Sequence, residues 1–258
     1  PESFTPDTNT LLGEVPEIKN FFVCCGLNSI GIGSGGGVGK VTAEWLMTGH
    51  INEDIFSYDI KRFQKFHSDL GFIKKRITET LGDLYGMHWP FKQHKTSRNI
   101  MTNPYHEELK KSGACFGVSG GYERAMWFAL NNDKPEYEYS YNYQNWYPSA
   151  EFETINTTKN IGLYDLTPFS KFELKGENAH EQLQKLCTAN VKNEIGKCTY
   201  TQMLNPDAGI EADLTIVCLD RNYFRIISSA ATRERDKFHI NKYLPNNLQL
   251  NDVTDDYC

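Results

Sequence analysis

Apolar and polar positions along the chain alternate between two periods, and each period predicts a kind of element. Phe21-Phe-Val-Cys-Cys25 is unbroken in apolar character and predicts a short buried strand. Apolar residues in Val41–Met47 recur at helical steps and stop at Gly49, predicting a helix. The glycine-rich stretch between them predicts a loop, with Gly35 to Val38 forming a tight turn into that helix. Phe63, Phe66, Leu70, Ile73 and Ile77 recur at three- and four-residue steps, predicting an amphipathic helix through Glu79. Its charged face, with Lys61, Arg62, Lys65, Lys74, Lys75 and Arg76, reads as solvated. Asn103 with Pro104 predicts the capped start of another helix. Tyr137 to Tyr143 reads as a connector, although its alternation also fits an exposed strand.

The last third has the clearest signals. Ile161 to Gly176 predicts two strands around a turn at Thr167-Pro168, and Glu177 to Leu186 a helix with Ala179, Leu183 and Leu186 on one face. Tyr200–Leu204 and Ile210–Leu219, joined by Asn205-Pro-Asp-Ala-Gly209, predict a hairpin. Tyr223 to Ser228 predicts the next strand.

Composition narrows the classes. A length of 258 residues suits one or two domains, and a net charge of −6 argues against general nucleic-acid binding. No apolar run is long enough to span a membrane. The seven cysteines form no C-x-x-C pair, and the odd count suits buried thiols in a reducing compartment. His50, His67, His88, His94, His106, His180 and His239 show no metal-ligand spacing, so no metal is expected and each reads as a surface or capping residue.

Glycines let backbone N–H groups approach a ligand without a Cβ in the way, and a helix start adds partial positive charge. The stretch Gly26–Lys40 therefore suits a phosphate, a carboxylate or the edge of a flavin ring. Gly31, Gly33 and Gly36 match the G-x-G-x-x-G dinucleotide fingerprint, with Asp59 downstream. Yet Leu27 to Ile30 separate the first glycine from the strand, and no further βαβ unit follows.

A closer match lies in Phe4-Thr-Pro-Asp7, Asn20-Phe-Phe-Val, Cys25-Gly-Leu-Asn-Ser29, Gly35-Gly-Gly-Val-Gly-Lys40 and Glu44-Trp45. Together these resemble the tail of the flavin domain in the sarcosine and dimethylglycine dehydrogenase family. Arg98-Asn99, Pro104 to Leu109, Gly121-Tyr-Glu-Arg124 and Trp127-Phe128 resemble the family's connecting region in the same order. The region from Glu151 resembles the first lobe of its aminomethyltransferase-type folate domain. The resemblance covers essentially the whole chain and implies an α+β protein: residues 1–60 the end of a FAD-dependent oxidoreductase domain, 61–150 a helical connector, 151–258 an incomplete folate-binding lobe. Both ends are expected to be truncated.

The resemblance implies FAD and tetrahydrofolate as cofactors. Gly31, Gly33, Ser34, Gly35, Gly36, Gly37 and Val38 would contact the flavin. Asp213 would assist proton transfer as the one-carbon unit joins the folate, with Tyr200 and Glu211 flanking the same pocket. From pattern alone Asp213 could equally be a strand-end acid; by alternation it shares a face with Thr215 and Val217. Its carboxylate is expected to point into a pocket. Ser229 stands where the stand-alone aminomethyltransferases have asparagine, which puts the folate contacts at that corner in question. The implied reaction is oxidative demethylation of sarcosine or dimethylglycine, with an electron-transfer flavoprotein as acceptor, in the mitochondrial matrix. A non-catalytic homologue of the same architecture, the regulatory subunit of pyruvate dehydrogenase phosphatase, is the other reading.

Overall fold

The computed structural model describes residues 2–51, 53–131 and 133–258. Its first elements are β1 (Leu11–Glu14), β2 (Phe22–Cys25) and α1 (Gly31–Thr48). Next come α2 (Leu70–Asp83), β3 (Met101–Thr102), α3 (His106–Lys111), β4 (Ala114–Ser119), β5 (Tyr122–Phe128) and α4 (Tyr147–Lys159). The chain ends with β6 (Ser170–Lys175), α5 (Ala179–Leu186), β7 (Cys198–Leu204), β8 (Ile210–Asp220), β9 (Tyr223–Ser228), α6 (Arg233–Tyr243) and β10 (Gln249–Asp252). These form two compact units: residues up to His67 fold together with Phe169–Tyr257, and Ser68–Pro168 form the other.

The first unit is built on an antiparallel five-stranded sheet in the order β10-β6-β9-β8-β7. Alternation does most of the work. Leu214, Ile216 and Cys218 of β8 and Phe224 and Ile226 of β9 are buried on one face, where Leu183 of α5 and Ile240 of α6 cover them. The hairpin, the 223–228 strand and the α5 face lie where the periodicity puts them. Only one of the two strands expected in Ile161–Gly176 forms: β6 pairs on both sides, while Ile161, Leu163 and Tyr164 are exposed.

In the same unit β1 and β2 make an antiparallel pair. Trp45 anchors α1 there: a Cβ on Gly13, whose φ is +111°, would sit 2.6 Å from the indole, so only glycine fits beneath the ring. Phe22 meets Trp45 edge to face at 6.0 Å. Two expectations fail here. Helix α1 does not start at Val41 but at Gly31, and the glycines are helical. Once Ser34 N–H bonds to the Ile30 carbonyl at 2.9 Å, the ladder simply continues through them. Strand β2 is not buried, since Cys24 and Cys25 are exposed. Of the seven thiols only Cys115 and Cys218 are buried. Lys61, expected on a solvated face, is 4% exposed: its ammonium lies 3.0 Å from Asp59 and over the Trp45 and Phe238 rings.

The second unit carries a three-stranded sheet in the order β3-β5-β4. Its helix α2 begins at Leu70, after Phe63 and Phe66 of the expected apolar face, because Asp69 caps it by accepting from Phe72 N–H at 2.7 Å. The buried face is Phe72, Arg76 and Thr80, and Leu70 is exposed. Asn103 Oδ1 accepts from Tyr105 N–H at 2.9 Å, so it caps the turn ahead of α3, which itself starts at His106. The residues quoted for the connector resemblance have a physical role here. Glu123 is 2% exposed and accepts from Arg98 Nε at 2.7 Å and from Asn99 N–H at 2.8 Å. That hydrogen-bonded carboxylate raises the Arg98 pKa. Tyr137 to Tyr143 forms no strand; Tyr137 and Tyr139 stack at 5.7 Å.

Candidate functional site

The sequence-derived site residues all lie in the first unit, in two groups. The first is the front half of α1. Six of the nine residues from Gly31 to Gly39 are glycine. The first three N–H groups of a helix have no intrahelical acceptor, and Ile30 offers no side-chain cap. Ser34 Oγ is turned back onto the Ile30 carbonyl at 2.8 Å and does not cap. A Cβ built on Gly33, Gly35, Gly36, Gly37 or Gly39 would meet nothing within 4 Å. Ile32 is fully exposed, and Val38 is half-buried. The result is an open strip of helix backbone without side chains, ending in free N–H groups. A planar, electron-rich ring system such as a flavin fits that strip, because no Cβ holds it away from the backbone.

The second group is on the β7–β8 hairpin. Tyr200 faces Thr215 and Gln202 faces Asp213 in register, so Tyr200, Gln202 and Asp213 share the face turned away from the core. Gln202 Nε2 donates to Asp213 Oδ1 at 3.2 Å. A hydrogen bond to Asp213 raises the Tyr200 pKa. The expectation of a carboxylate turned away from solvent is not met: Asp213 is exposed, and Tyr200 is 64% exposed. The physical reason is the alternation itself, since Ala212 and Leu214 take the core face.

Glu211 does not join this cluster. The register steps from Met203↔Ala212 to Leu204↔Ile210, which leaves Glu211 as the extra residue of a β-bulge. Re-aimed in this way, its carboxylate accepts from Arg235 of α6 at 2.9 Å. Ser229, the departure from asparagine, accepts from Ala231 N–H at 3.3 Å and so caps the turn into α6.

Gln202 was missed at the level of sequence. Its signal was there, because counting back across the Asn205–Gly209 turn places it opposite Asp213. Outside this unit, ligand atoms of Glu79, Asp83 and His94 lie within 4.8 Å of one another. Glu79 is already engaged by the N–H groups of Lys95 at 2.7 Å and Thr96 at 2.8 Å, and Lys92 pairs with Asp83 at 2.7 Å. Those donors compete with a cation for the carboxylate oxygens.

Residues 105–258 match the GCVT N-terminal domain, and residues 48–102 match the FAD dependent oxidoreductase central domain. The chain is 40% identical over 242 residues to 4-methylaminobutanoate oxidase (formaldehyde-forming) of Paenarthrobacter nicotinovorans, covering 94% of this chain and 29% of that protein. It is 33% identical over 261 residues to the mitochondrial pyruvate dehydrogenase phosphatase regulatory subunit of Mus musculus, covering 98% and 30%. Mitochondrial sarcosine dehydrogenase of the same species is 32% identical over 241 residues, covering 84% and 26%. The chain thus spans between a quarter and a third of these relatives.

Proposed function

Because the chain belongs to the GCVT N-terminal domain family, with an FAD dependent oxidoreductase central domain ahead of it, we propose that it serves a flavin-dependent amine oxidoreductase that passes a one-carbon unit to tetrahydrofolate. The observation that carries this reading is that one compact unit holds both an open glycine backbone and an acid–tyrosine pair. The names of the relatives share a substrate chemistry. 4-Methylaminobutanoate, sarcosine and dimethylglycine are all N-methylated amino acids, and that is the substrate class proposed here.

A bound flavin would supply the hydride acceptor, and a bound folate the acceptor for the carbon. The chain's own residues do the rest. Gly31, Gly33, Ser34, Gly35, Gly36, Gly37 and Val38 present backbone to the ring, with the free N–H groups of the first turn turned to its electron-rich edge. Asp213 holds or takes the proton of the folate amine as the one-carbon unit joins it. Gln202 fixes the carboxylate through Oδ1, and Tyr200 hydrogen-bonds to the same carboxylate. Glu211 flanks this site only through the bulge, and its charge is committed to Arg235. Electrons would leave to an electron-transfer flavoprotein. The mitochondrial sarcosine and dimethylglycine relatives support a mitochondrial location, and the matrix is the compartment proposed here. No described helix is long and apolar enough to cross a membrane.

The test uses the full-length protein. Asp213→Asn keeps shape and hydrogen bonding but removes charge. Amine oxidation should survive, while methylene-tetrahydrofolate should fall by roughly 10²-fold relative to free formaldehyde. An unchanged ratio of the two products would make Asp213 a strand-end acid. The regulatory reading is supported, less directly than the oxidase reading, by 33% identity over 98% of the chain. It gains if the wild-type protein oxidises no N-methyl amine and binds a phosphatase catalytic subunit instead.

A further inference from the structure

The bulge that turns Glu211 away from Asp213 also opens a second place in the same unit. A cavity of about 60 Å³ lies between α1's C-terminal end, the Asn205–Gly209 turn and α6. Its charged groups are mostly closed upon one another. Lys61 pairs with Asp59 at 3.0 Å, and Arg235 with Glu211 at 2.9 Å. His50, on the rim, pairs with Asp207 at 2.6 Å. Glu14 accepts from Asn20 N–H at 2.8 Å.

Two groups are left over. Lys242 donates to the Gly49 carbonyl at 3.0 Å and has no carboxylate within 4.0 Å among the described residues. An ammonium has three donors, so two remain. His239 is 8% exposed and lines the cavity, yet neither ring nitrogen makes a hydrogen bond among the described residues. Its only close neighbour by ring contact is Tyr243 at 5.2 Å. Its ring nitrogens are not sealed from solvent, so a ligand entering the cavity can reach them. Burial, with Lys242 and Arg235 close by, lowers the His239 pKa, so the ring is neutral and offers one N–H donor. The lining carries Lys61, Arg235 and Lys242 against Glu14, Asp59 and Glu211, and of the three cations Lys242 is the one with no carboxylate partner among the described residues, so an anion is favoured at Lys242. The remaining wall is apolar, formed by Trp45, Ile51 and Phe238.

We propose that this cavity binds a small carboxylate, with Lys242 and His239 holding the anion and Trp45, Ile51 and Phe238 taking its carbon end. The apolar wall decides for a carboxylate over phosphate, because the Lys61 ammonium above the Trp45 and Phe238 rings is already paired with Asp59 and phosphate has no carbon end to lie on those rings. This site is separate from the glycine strip and the Asp213 cluster, and stands whether or not the oxidoreductase reading does.

The experiment follows the His239 ring protons by NMR in the purified protein, with sodium acetate as the probe and sodium chloride as the ionic-strength control. Acetate should shift the His239 signal saturably and raise the pH of its titration midpoint, because a bound anion favours the charged ring. Lys242 is exposed, so Lys242→Met leaves the fold intact. It should weaken acetate binding by about tenfold or more, the loss of one charged hydrogen bond. His239→Gln keeps a donor and should retain part of the binding, read by calorimetry. A linear drift equal in acetate and chloride overturns the proposal. So does saturable binding that Lys242→Met leaves unchanged, or saturation by inorganic phosphate but not acetate.

Discussion

The front half of α1 and strand β8 lie in one unit and are built on opposite principles. In β8, Ala212, Leu214, Ile216 and Cys218 are each at most 3% exposed, and every second residue joins one core. In α1, eighteen residues contribute a single buried side chain, Trp45. Its interior glycines Gly35, Gly36, Gly37 and Gly39 each cost about 1 kcal/mol against alanine, so the segment is roughly 4 kcal/mol short of an ordinary helix. What holds it is the anchor at its far end, the indole seated on Gly13. The contrast separates two kinds of sequence information. Packing is recorded as periodicity, and an open backbone is recorded only as missing side chains.

Truncation at the two ends of this contrast should differ most. Phe224 is fully buried in the sheet core, and Phe224→Ala should cost ~3–5 kcal/mol. Ile32 is fully exposed on α1, and Ile32→Ser should move stability by less than about 0.5 kcal/mol. Urea unfolding of both variants checks this. Equal losses would break the comparison, by showing that α1 carries packing in solution.

This difference also governs how much was legible in the sequence. The hairpin and α5 were read with their faces correct, and β9 as a strand, because Leu214, Ile216, Leu183 and their neighbours repeat with the right period. The glycine segment was misread as a loop, since glycine carries no period and its low propensity points away from helix. The α2 face was misplaced for another reason: Phe63 and Phe66 continue the spacing of Leu70, but the Asp69 cap starts the helix after them. The pairing of Tyr200 and Gln202 with Asp213 follows from register and was half seen. The diversion of Glu211 to Arg235 needed the bulge, which leaves no trace in composition. Lys61 and His239 were read as surface residues because what buries them is distant in sequence.

The packed region has one exception of its own. Asp236 of α6 is 1% exposed; Thr232 donates to its Oδ2 at 2.6 Å, and its Oδ1 has no hydrogen-bond partner among the described residues. Burial pushes its pKa up to about 6. Since the folded value lies above the unfolded one, the folded state holds the proton longer. Stability is unaffected below about pH 4 and falls as pH rises through the window to about 6. Asp236→Asn removes the charge and should stabilise the protein at pH 7 by up to ~3 kcal/mol, while flattening the profile between those values. A variant as stable as wild type at pH 7 would mean that water reaches the carboxylate.

On the other side, Gly36→Ala tests whether the glycines are there for backbone access. A methyl at Gly36 meets nothing within 4 Å, so it should stabilise α1 by about 1 kcal/mol. Gly36→Val in the full-length protein should lower flavin occupancy, read as flavin absorbance per protein. A gain in stability together with a loss of cofactor would sharpen the contrast, and unchanged occupancy in the valine variant would remove the flavin role of the strip.

The smallest effect is expected where the two regions meet. His50, just past the end of α1, reaches the turn between β7 and β8, with Nε2 2.6 Å from Asp207. The hydrogen bond to Asp207 raises the His50 pKa above its ordinary value of 6.5. A histidine gaining a partner on folding contributes stability that is present in full below the unfolded pKa and is lost as pH rises through the folded one. The joint should therefore be tightest in mild acid and loosen above neutrality. Asp207→Asn should return the His50 midpoint, followed by its ring protons, toward 6.5 and remove the change in the amide protection factors of Gly49–Ile51 between pH 6 and 8. Because Asp207 is half exposed, the effect on global unfolding should be too small to resolve, whereas the local exchange should report it. If the protection factors of Gly49–Ile51, exchange rates corrected for the intrinsic base-catalysed rise, are independent of pH in the wild type, the ion pair contributes nothing to the joint.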